Sequence, residues 1–361
     1  MSEAIQKQPT KFKTYLVFTK FRLSFLVIIS ALTGYLFAGG QNWLEITYLM
    51  LGGTLVTGAS NGANQIWERD LDKIMNRTNR RPLPTGQMQL KEAYIVVILF
   101  LLVGTYLLYL INLKSALLGV LAFVSYVFIY TPLKQITPWA VFVGAFPGAI
   151  PPFLGAIAAT DAFGFVPGIL FFVQFTWQFP HFWAIAWVLY DDYKKAGFSL
   201  LPSKTGKDKA SGFQIMVYSL ALIPFSLMPW ILGWTGYITL IAASIMGIWF
   251  FYLSYKLYHS CETSDARKLM FASFVYLPII QFIYVFDRTD NFIEIFAFYI
   301  LLFSKRFLGK PIVEDRRWYY VLVVVFLLSI YLYFSRTMLV AFFLVGFSML
   351  GYAKITKGTL K

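Results

Sequence analysis

One cysteine and two histidines occur among 361 residues, and only 13% of the chain is charged. The single thiol, Cys261, excludes an intrachain disulfide and a multi-cysteine metal centre. So little charge excludes an ordinary soluble domain, where about a quarter of residues are charged. Acids are the scarcer sign, 17 against 31 bases, for a net charge of +14. That excess does not call for nucleic acid, because bases gather on the cytoplasmic side of membrane helices. No small-residue cleavage site follows a short apolar stretch, and no long Arg- and Ser-rich leader is present. Neither a cleavable signal nor an organelle transit segment is therefore expected, which favours a bacterial inner membrane.

What the chain does have is oil. Hydrophobic residues make up 58% of it, and the mean hydropathy is +0.65. Apolar runs of about 17–25 residues, each long enough to cross a bilayer as a helix, recur along its length. They lie near 23–40, 44–66, 93–112, 115–131, 138–159, 165–189, 214–233, 236–255 and 269–286. With the N-terminus inside, the loops on that side carry twenty Lys and Arg, and the opposite loops only Lys114 and Arg288. This asymmetry predicts an all-α polytopic membrane helix bundle, with about nine core spans around a central cavity. Residues 1–290 form that domain. Residues 291–361 are expected to be a separate hydrophobic extension with two further spans, near 318–335 and 337–353.

Charge is concentrated at one place, NQIWERDLDKIMNRTNRRPLPTGQ, where 24 residues from Asn64 to Gln87 hold three acids and five bases. Asn64, Glu68 and Asp72 are spaced i, i+4, i+8. On one helix they drift only about 80° and share a face. A carboxylate cannot face lipid cheaply, so this face must line the bundle interior or a wet cavity. Carboxylates with an amide oxygen suit Mg²⁺, which usually completes its shell with waters and substrate phosphates. The plainer reading is a solvated helix end, its acids beside Arg69 and Lys73. Arg77, Arg80 and Arg81 follow, with Pro82 and Pro84 expected to end the helix. Guanidinium forks match phosphate oxygens, so metal ligands plus arginines point to a diphosphate. The same polarity returns after the sixth span: Asp191 and Asp192, then Lys194 and Lys195. The two stretches could face one cavity, each holding one Mg²⁺.

Four stretches in order, NQIWERDLDKIMNRTNRRPLPTG, YTPLK (Tyr130–Lys134), GAIPP (Gly148–Pro152) and WQFPHF with DDYKKAG, resemble the protohaem IX farnesyltransferase (haem O synthase) branch of the UbiA-type intramembrane prenyltransferases. The resemblance covers about residues 15–290. Glu68 stands where the wider superfamily usually has Asp. Asp191 and Asp192 are adjacent where the wider superfamily spaces two acids, and Trp187 occupies the position four before Asp191. Both departures fit the haem-modifying branch. The resemblance implies transfer of a farnesyl group from farnesyl diphosphate to a vinyl group of haem B, with loss of diphosphate, in haem O and haem A biosynthesis. A downstream haem A synthase is then a candidate partner.

On that implication Asn64, Glu68, Asp72 and Asp192 hold Mg²⁺, with Asp191 beside them in the catalytic group. Arg77, Arg80, Arg81, Lys134 and Lys195 neutralise the diphosphate. Arg77 and Arg81 could instead meet lipid phosphate or a haem propionate. Tyr130, one turn before Lys134, could turn its ring or hydroxyl to the reacting centre. His181, inside a span after Pro180, reads either as a haem ligand or pocket residue, or as an imidazole hydrogen-bonded to a neighbouring helix. Lys20 and Arg22 match a basic pair that opens the family pattern, here with Phe21 where proline is usual. Rings of the sixth span, among them Phe171, Phe175, Phe179, Trp183 and Trp187, could shield an allylic cation or simply pack. The alternatives are a prenyltransferase for an aromatic or quinone precursor, and a transporter, which would place its acids at midplane rather than at span ends.

Overall fold

The computed structural model describes residues 10–289, Lys204 excepted; the side chains of Arg22 and Leu23 are also outside the description. The expected extension at 291–361 and its two spans therefore lie outside the described residues. Thirteen α-helices follow one another there: α1 (Lys11–Phe18), α2 (Phe21–Phe37), α3 (Trp43–Trp67), α4 (Arg69–Ile74), α5 (Leu90–Tyr109), α6 (Leu113–Val124), α7 (Thr131–Leu133), α8 (Ala140–Thr160), α9 (Phe165–Val188), α10 (Tyr190–Lys195), α11 (Lys209–Ile231), α12 (Tyr237–Ser260) and α13 (Thr263–Phe286). A π-helical turn, Ser125–Tyr130, joins α6 to α7. Thr235 and Arg288 form one isolated antiparallel bridge, and no strand occurs among the described residues. The described residues divide into two compact units, residues 10–226 with Ala243–Val285, and Leu227–Ala242 with residues 286–289.

Six of the described helical stretches are long and apolar enough to cross a membrane: Leu90–Tyr109, Leu113–Leu133, Ala140–Thr160, Lys209–Ile231, Tyr237–Ser260 and Thr263–Phe286. Nine were expected. The apolar part of α2, Ser24–Phe37, is shorter. Helices α3 and α9 sit at predicted spans but carry Asn61, Asn64 and Gln65, and Gln174, Gln178 and His181. The hydropathy these two helices lack is spent on buried polar contacts: Asn64, Gln65, Gln174, Gln178 and His181 are all buried.

Local sequence sets the helix ends. Asn42 and Asn112 cap α3 and α6, their side-chain oxygens accepting from Leu44 and Glu45 N–H and from Ser115 N–H, which satisfies donors with no partner in the first turn. Small residues set the crossings. A Cβ on Gly155 of α8 would lie 1.9 Å from the Ala31 carbonyl oxygen of α2. Only glycine permits backbones to meet so closely, the usual device where no hydrophobic drive separates helix from lipid. Pro152 in α8 has no N–H to give the Gly148 carbonyl. Gln174 Nε2 of α9 donates to that oxygen instead at 2.6 Å. Gln174 Oε1 then accepts from Ser30 Oγ and from Gln281 Nε2 at 2.8 Å, so α2, α8, α9 and α13 share one satisfied polar cluster inside the bundle.

Candidate active site

The first charged stretch lies at the end of α3. Glu68 interrupts the helix with φ −90° and ψ 7°, yet the four-residue repeat survives: Glu68 N–H donates to Asn64 O at 2.9 Å and Asp72 N–H to Glu68 O at 2.7 Å. Asn64, Glu68 and Asp72 consequently point the same way and all three are buried, whereas their neighbours Arg69, Asp70 and Lys73 are exposed. The plainer alternative, a solvated helix end, therefore describes Arg69, Asp70 and Lys73 only.

Helix α4 stops at Ile74, not at the expected Pro82. Met75 turns extended, φ −89° and ψ 129°, and the next two amides leave the helix. Asn76 N–H and Arg77 N–H donate to Asp192 Oδ1 and Oδ2 at 2.7 and 3.1 Å. A carboxylate from the second charged stretch thus takes the donors that would have continued α4. Thr78 Oγ1 closes the turn by donating to the Asp72 carbonyl.

Each buried acid has its own cation. Lys134 Nζ donates to Glu68 Oε1 at 2.7 Å, both groups buried. Arg81 Nη1 bridges Asp72 Oδ1 and Oδ2 at 2.8 and 2.7 Å. Asn64 Nδ2 donates to Thr131 Oγ1 at 3.2 Å, and its amide oxygen has no hydrogen-bond partner among the described residues. The π-helical turn sets this register. Its wider winding, closed by the Thr131 N–H bond to Tyr126 O and reinforced by Thr131 Oγ1 donating to the same carbonyl, precedes the two residues that meet Asn64 and Glu68. Such turns often mark functional sites. Lys134 also lies 4.6 Å from the ring centroid of the buried Tyr130.

Burial would raise the Glu68 carboxyl, but the charge and hydrogen bond of Lys134, with Lys20 and Arg81 beyond, hold it below the usual range. Burial opposes the charge on Lys134, and Glu68 more than compensates, keeping its pKa raised. Lys20, half-buried in the left-handed conformation at φ 49° before α2, is the opposite case. Burial comes first, then the charges of Arg81 and Lys134, against a weaker pull from Glu68, and they bring its pKa down to about 7. It forms no ion pair among the described residues. Lys20, Arg77, Arg81, Lys134 and Glu68 thus share one electrostatic field.

Other expected site residues are not brought together. Asp191 is 85% exposed and pairs at 3.4 Å with Lys207, because it points outward from the first turn of α10 while Asp192 points inward. Lys195 is half-exposed and 4.0 Å from Asp192. Arg80 is exposed. Arg77 lies over the Tyr193 ring at 5.8 Å. His181 is buried and its Nδ1 is 2.7 Å from Ser273 Oγ of α13, with its ring stacked on Trp177 at 4.3 Å. The hydrogen-bonded alternative describes His181 Nδ1; it lies eleven residues before Asp192, about 16 Å along a helix. Phe142, Phe146, Phe171, Phe175 and Phe179 form an aromatic seam between α8 and α9. Thr131 escaped the sequence reading, although it sits inside the quoted YTPLK stretch.

The comparisons with known proteins give the family. The UbiA prenyltransferase family matches residues 27–276. A protoheme IX farnesyltransferase of Cytophaga hutchinsonii is 46% identical over 282 residues, covering 77% of this chain and 99% of that protein. A solved structure of digeranylgeranylglyceryl phosphate synthase has a TM-score of 0.65 at 22% identity, over 77% of this chain and 98% of its own. A UbiA homolog from Archaeoglobus fulgidus bound to DMAPP and Mg²⁺ has a TM-score of 0.55 at 16% identity, over 75% and 99%. Fold, matched region and relatives converge, and the chain belongs to the UbiA prenyltransferase family.

Proposed function

We propose that this chain is a haem O synthase, transferring the farnesyl group of farnesyl diphosphate to a vinyl group of haem B and releasing diphosphate. The observation that carries it is the pair of buried carboxylates one turn apart, each neutralised by a cation that phosphate oxygens could take over. The relative at 46% identity is a protoheme IX farnesyltransferase, and the similar archaeal structure holds DMAPP and Mg²⁺. We place the site at the cytoplasmic face of a bacterial inner membrane, because it lies among the base-rich span ends.

Asn64, Glu68 and Asp72 fit a magnesium ion. They offer hard oxygens, and Asn64 Oδ1 and Glu68 Oε2 carry no hydrogen bond among the described residues. No three acidic, His or Cys side chains among the described residues make a metal site by themselves, so substrate oxygens would have to complete the shell. When bound, the ion would offset diphosphate charge and make a better leaving group. The chain's own residues do the rest. Lys134 and Arg81, released from Glu68 and Asp72, hold phosphate oxygens, and Lys20 and Arg77 add charge from the same side. Loss of diphosphate leaves an allylic cation at farnesyl C1. The Tyr130 ring beside Lys134 faces that cation and keeps bulk water off it. The haem vinyl group supplies the electron pair for the new carbon–carbon bond, and a water then adds to the cation left on the former vinyl group and loses a proton to become its hydroxyl.

Purified protein given haem B, farnesyl diphosphate and Mg²⁺ is expected to yield haem heavier by one farnesyl and one hydroxyl group, with pyrophosphate released. An unchanged haem and a farnesylated phenolic acceptor would assign the aromatic or quinone class instead.

Lys20 adds a pH signature. Its folded pKa of about 7 lies below its ordinary 10.5, so the unfolded chain binds more protons between these values. Its contribution to stability therefore rises with pH across that window. Bound pyrophosphate reverses the field, so binding at pH 8 takes up a proton. Calorimetry in two buffers of different ionisation enthalpy should detect that proton, and Lys20→Met should lose it.

A further inference from the structure

The second acidic stretch does not fit a metal. Asp191 faces outward with Lys207, and both oxygens of Asp192 are taken by backbone amides. Among the described residues no group of three acidic, His or Cys side chains includes either residue. Trp187, one turn earlier, offers no carboxylate and is fully buried. The Asp72 oxygens are also both held, but by the Arg81 side chain, which a phosphate can draw away; those of Asp192 are held by backbone amides at 2.7 and 3.1 Å, which leave only if the turn itself comes apart.

We propose that Asp192 is a positioning residue, a latch that fixes the 75–81 turn over the diphosphate site, and that this enzyme binds one magnesium ion rather than two. The latch works through the backbone. Asp192 holds the amides of Asn76 and Arg77, which stops α4 and turns the chain back. Thr78 Oγ1 then reaches the Asp72 carbonyl at 3.2 Å, and Arg81 returns to the Asp72 carboxylate at 2.7 Å. Arg77 is seated on Tyr193, the residue after the latch, at 5.8 Å. Without the carboxylate, the amides of Asn76 and Arg77 would turn to water, and Arg77 and Arg81 would lose their common anchor. Two cations of the diphosphate site, Arg77 and Arg81, are thus held in place from α10, while Lys134 follows α7 and the metal ligands come from α3, α4 and Glu68 between them. Adjacent acids suffice for this task because one of them, Asp191, only meets Lys207 at the surface.

The inference rests on the diphosphate reading above, and its test separates the two. Mn²⁺ bound per chain is counted by electron paramagnetic resonance with excess inorganic pyrophosphate, in the full chain in detergent. One Mn²⁺ is expected, retained in Asp192→Asn and lost in Glu68→Gln. Hydrogen exchange should show the 75–81 amides exchanging at least tenfold faster in Asp192→Ala, with partial recovery in Asp192→Asn, which keeps one acceptor. The KM for farnesyl diphosphate should rise more than tenfold in Asp192→Ala, with a smaller fall in kcat and an unmoved Mg²⁺ activation constant. Two Mn²⁺ per chain, one of them lost with Asp192, would overturn the latch and leave the diphosphate reading standing. Absence of Mn²⁺–pyrophosphate binding in the unaltered protein would overturn both.

Discussion

Glu68→Gln is expected to cut farnesyl transfer by at least about a thousandfold while the protein stays folded in detergent, the scale of removing one preorganised charge contact from a transition state. Glutamine keeps the side-chain length and one oxygen, so packing at the end of α3 changes little. What it removes is the negative charge that faces Lys134 at 2.7 Å and that would face magnesium. The surviving Lys134 keeps its place against the Tyr130 ring but is no longer balanced. Activity should therefore fall through kcat, and raising Mg²⁺ should not restore it. Single-turnover rates and a thermal melt in the same detergent check the two halves. Transfer within tenfold of the unaltered enzyme would remove Glu68 from the catalytic group.

Arg81→Ala is expected to destabilise the fold by about 3–5 kcal/mol, the range for a buried ion pair that loses one member. Asp72 is fully buried and the Arg81 side chain only 13% exposed, so water does little to replace the guanidinium. The companion experiment separates stability from function. Arg81→Met combined with Asp72→Asn removes both charges and should recover most of the lost stability, because the unpaired carboxylate is gone. It should recover no transfer, since both a metal ligand and a phosphate contact are missing. Denaturant melts of the single and double variants, with product assays on each, measure both. A single variant as stable as the unaltered protein would mean the pair adds nothing to the fold.

Much of this site is legible in residue spacing. The i, i+4, i+8 pattern of Asn64, Glu68 and Asp72 foretells a common buried face, and it survives a break in the helix because the repeat of backbone bonds continues through Glu68. Period is a local property, so sequence carries it. The partners are not local. Glu68 meets Lys134 across 66 residues and Asn76 meets Asp192 across 116, and nothing in either stretch names the other. Chemistry misleads where two equivalent acids sit side by side. Asp191 and Asp192 read alike, yet α10 turns one to the surface and the other to the 75–81 turn. Lys20 reads as half of a basic pair before the first span until its neighbours are known, when it becomes the cation crowded by Arg81 and Lys134.

The sequence by itself determined the helical membrane class and the chemistry available at the span ends, because hydropathy, charge and period are properties of short stretches. Only the tertiary structure decided which cation neutralises which acid, where α4 stops, and that Asp192 grips a backbone rather than standing free. Those outcomes depend on distances between helices far apart in the chain, fixed by close crossings such as Gly155 against Ala31 and by the π-helical turn that sets Thr131 and Lys134 against α3.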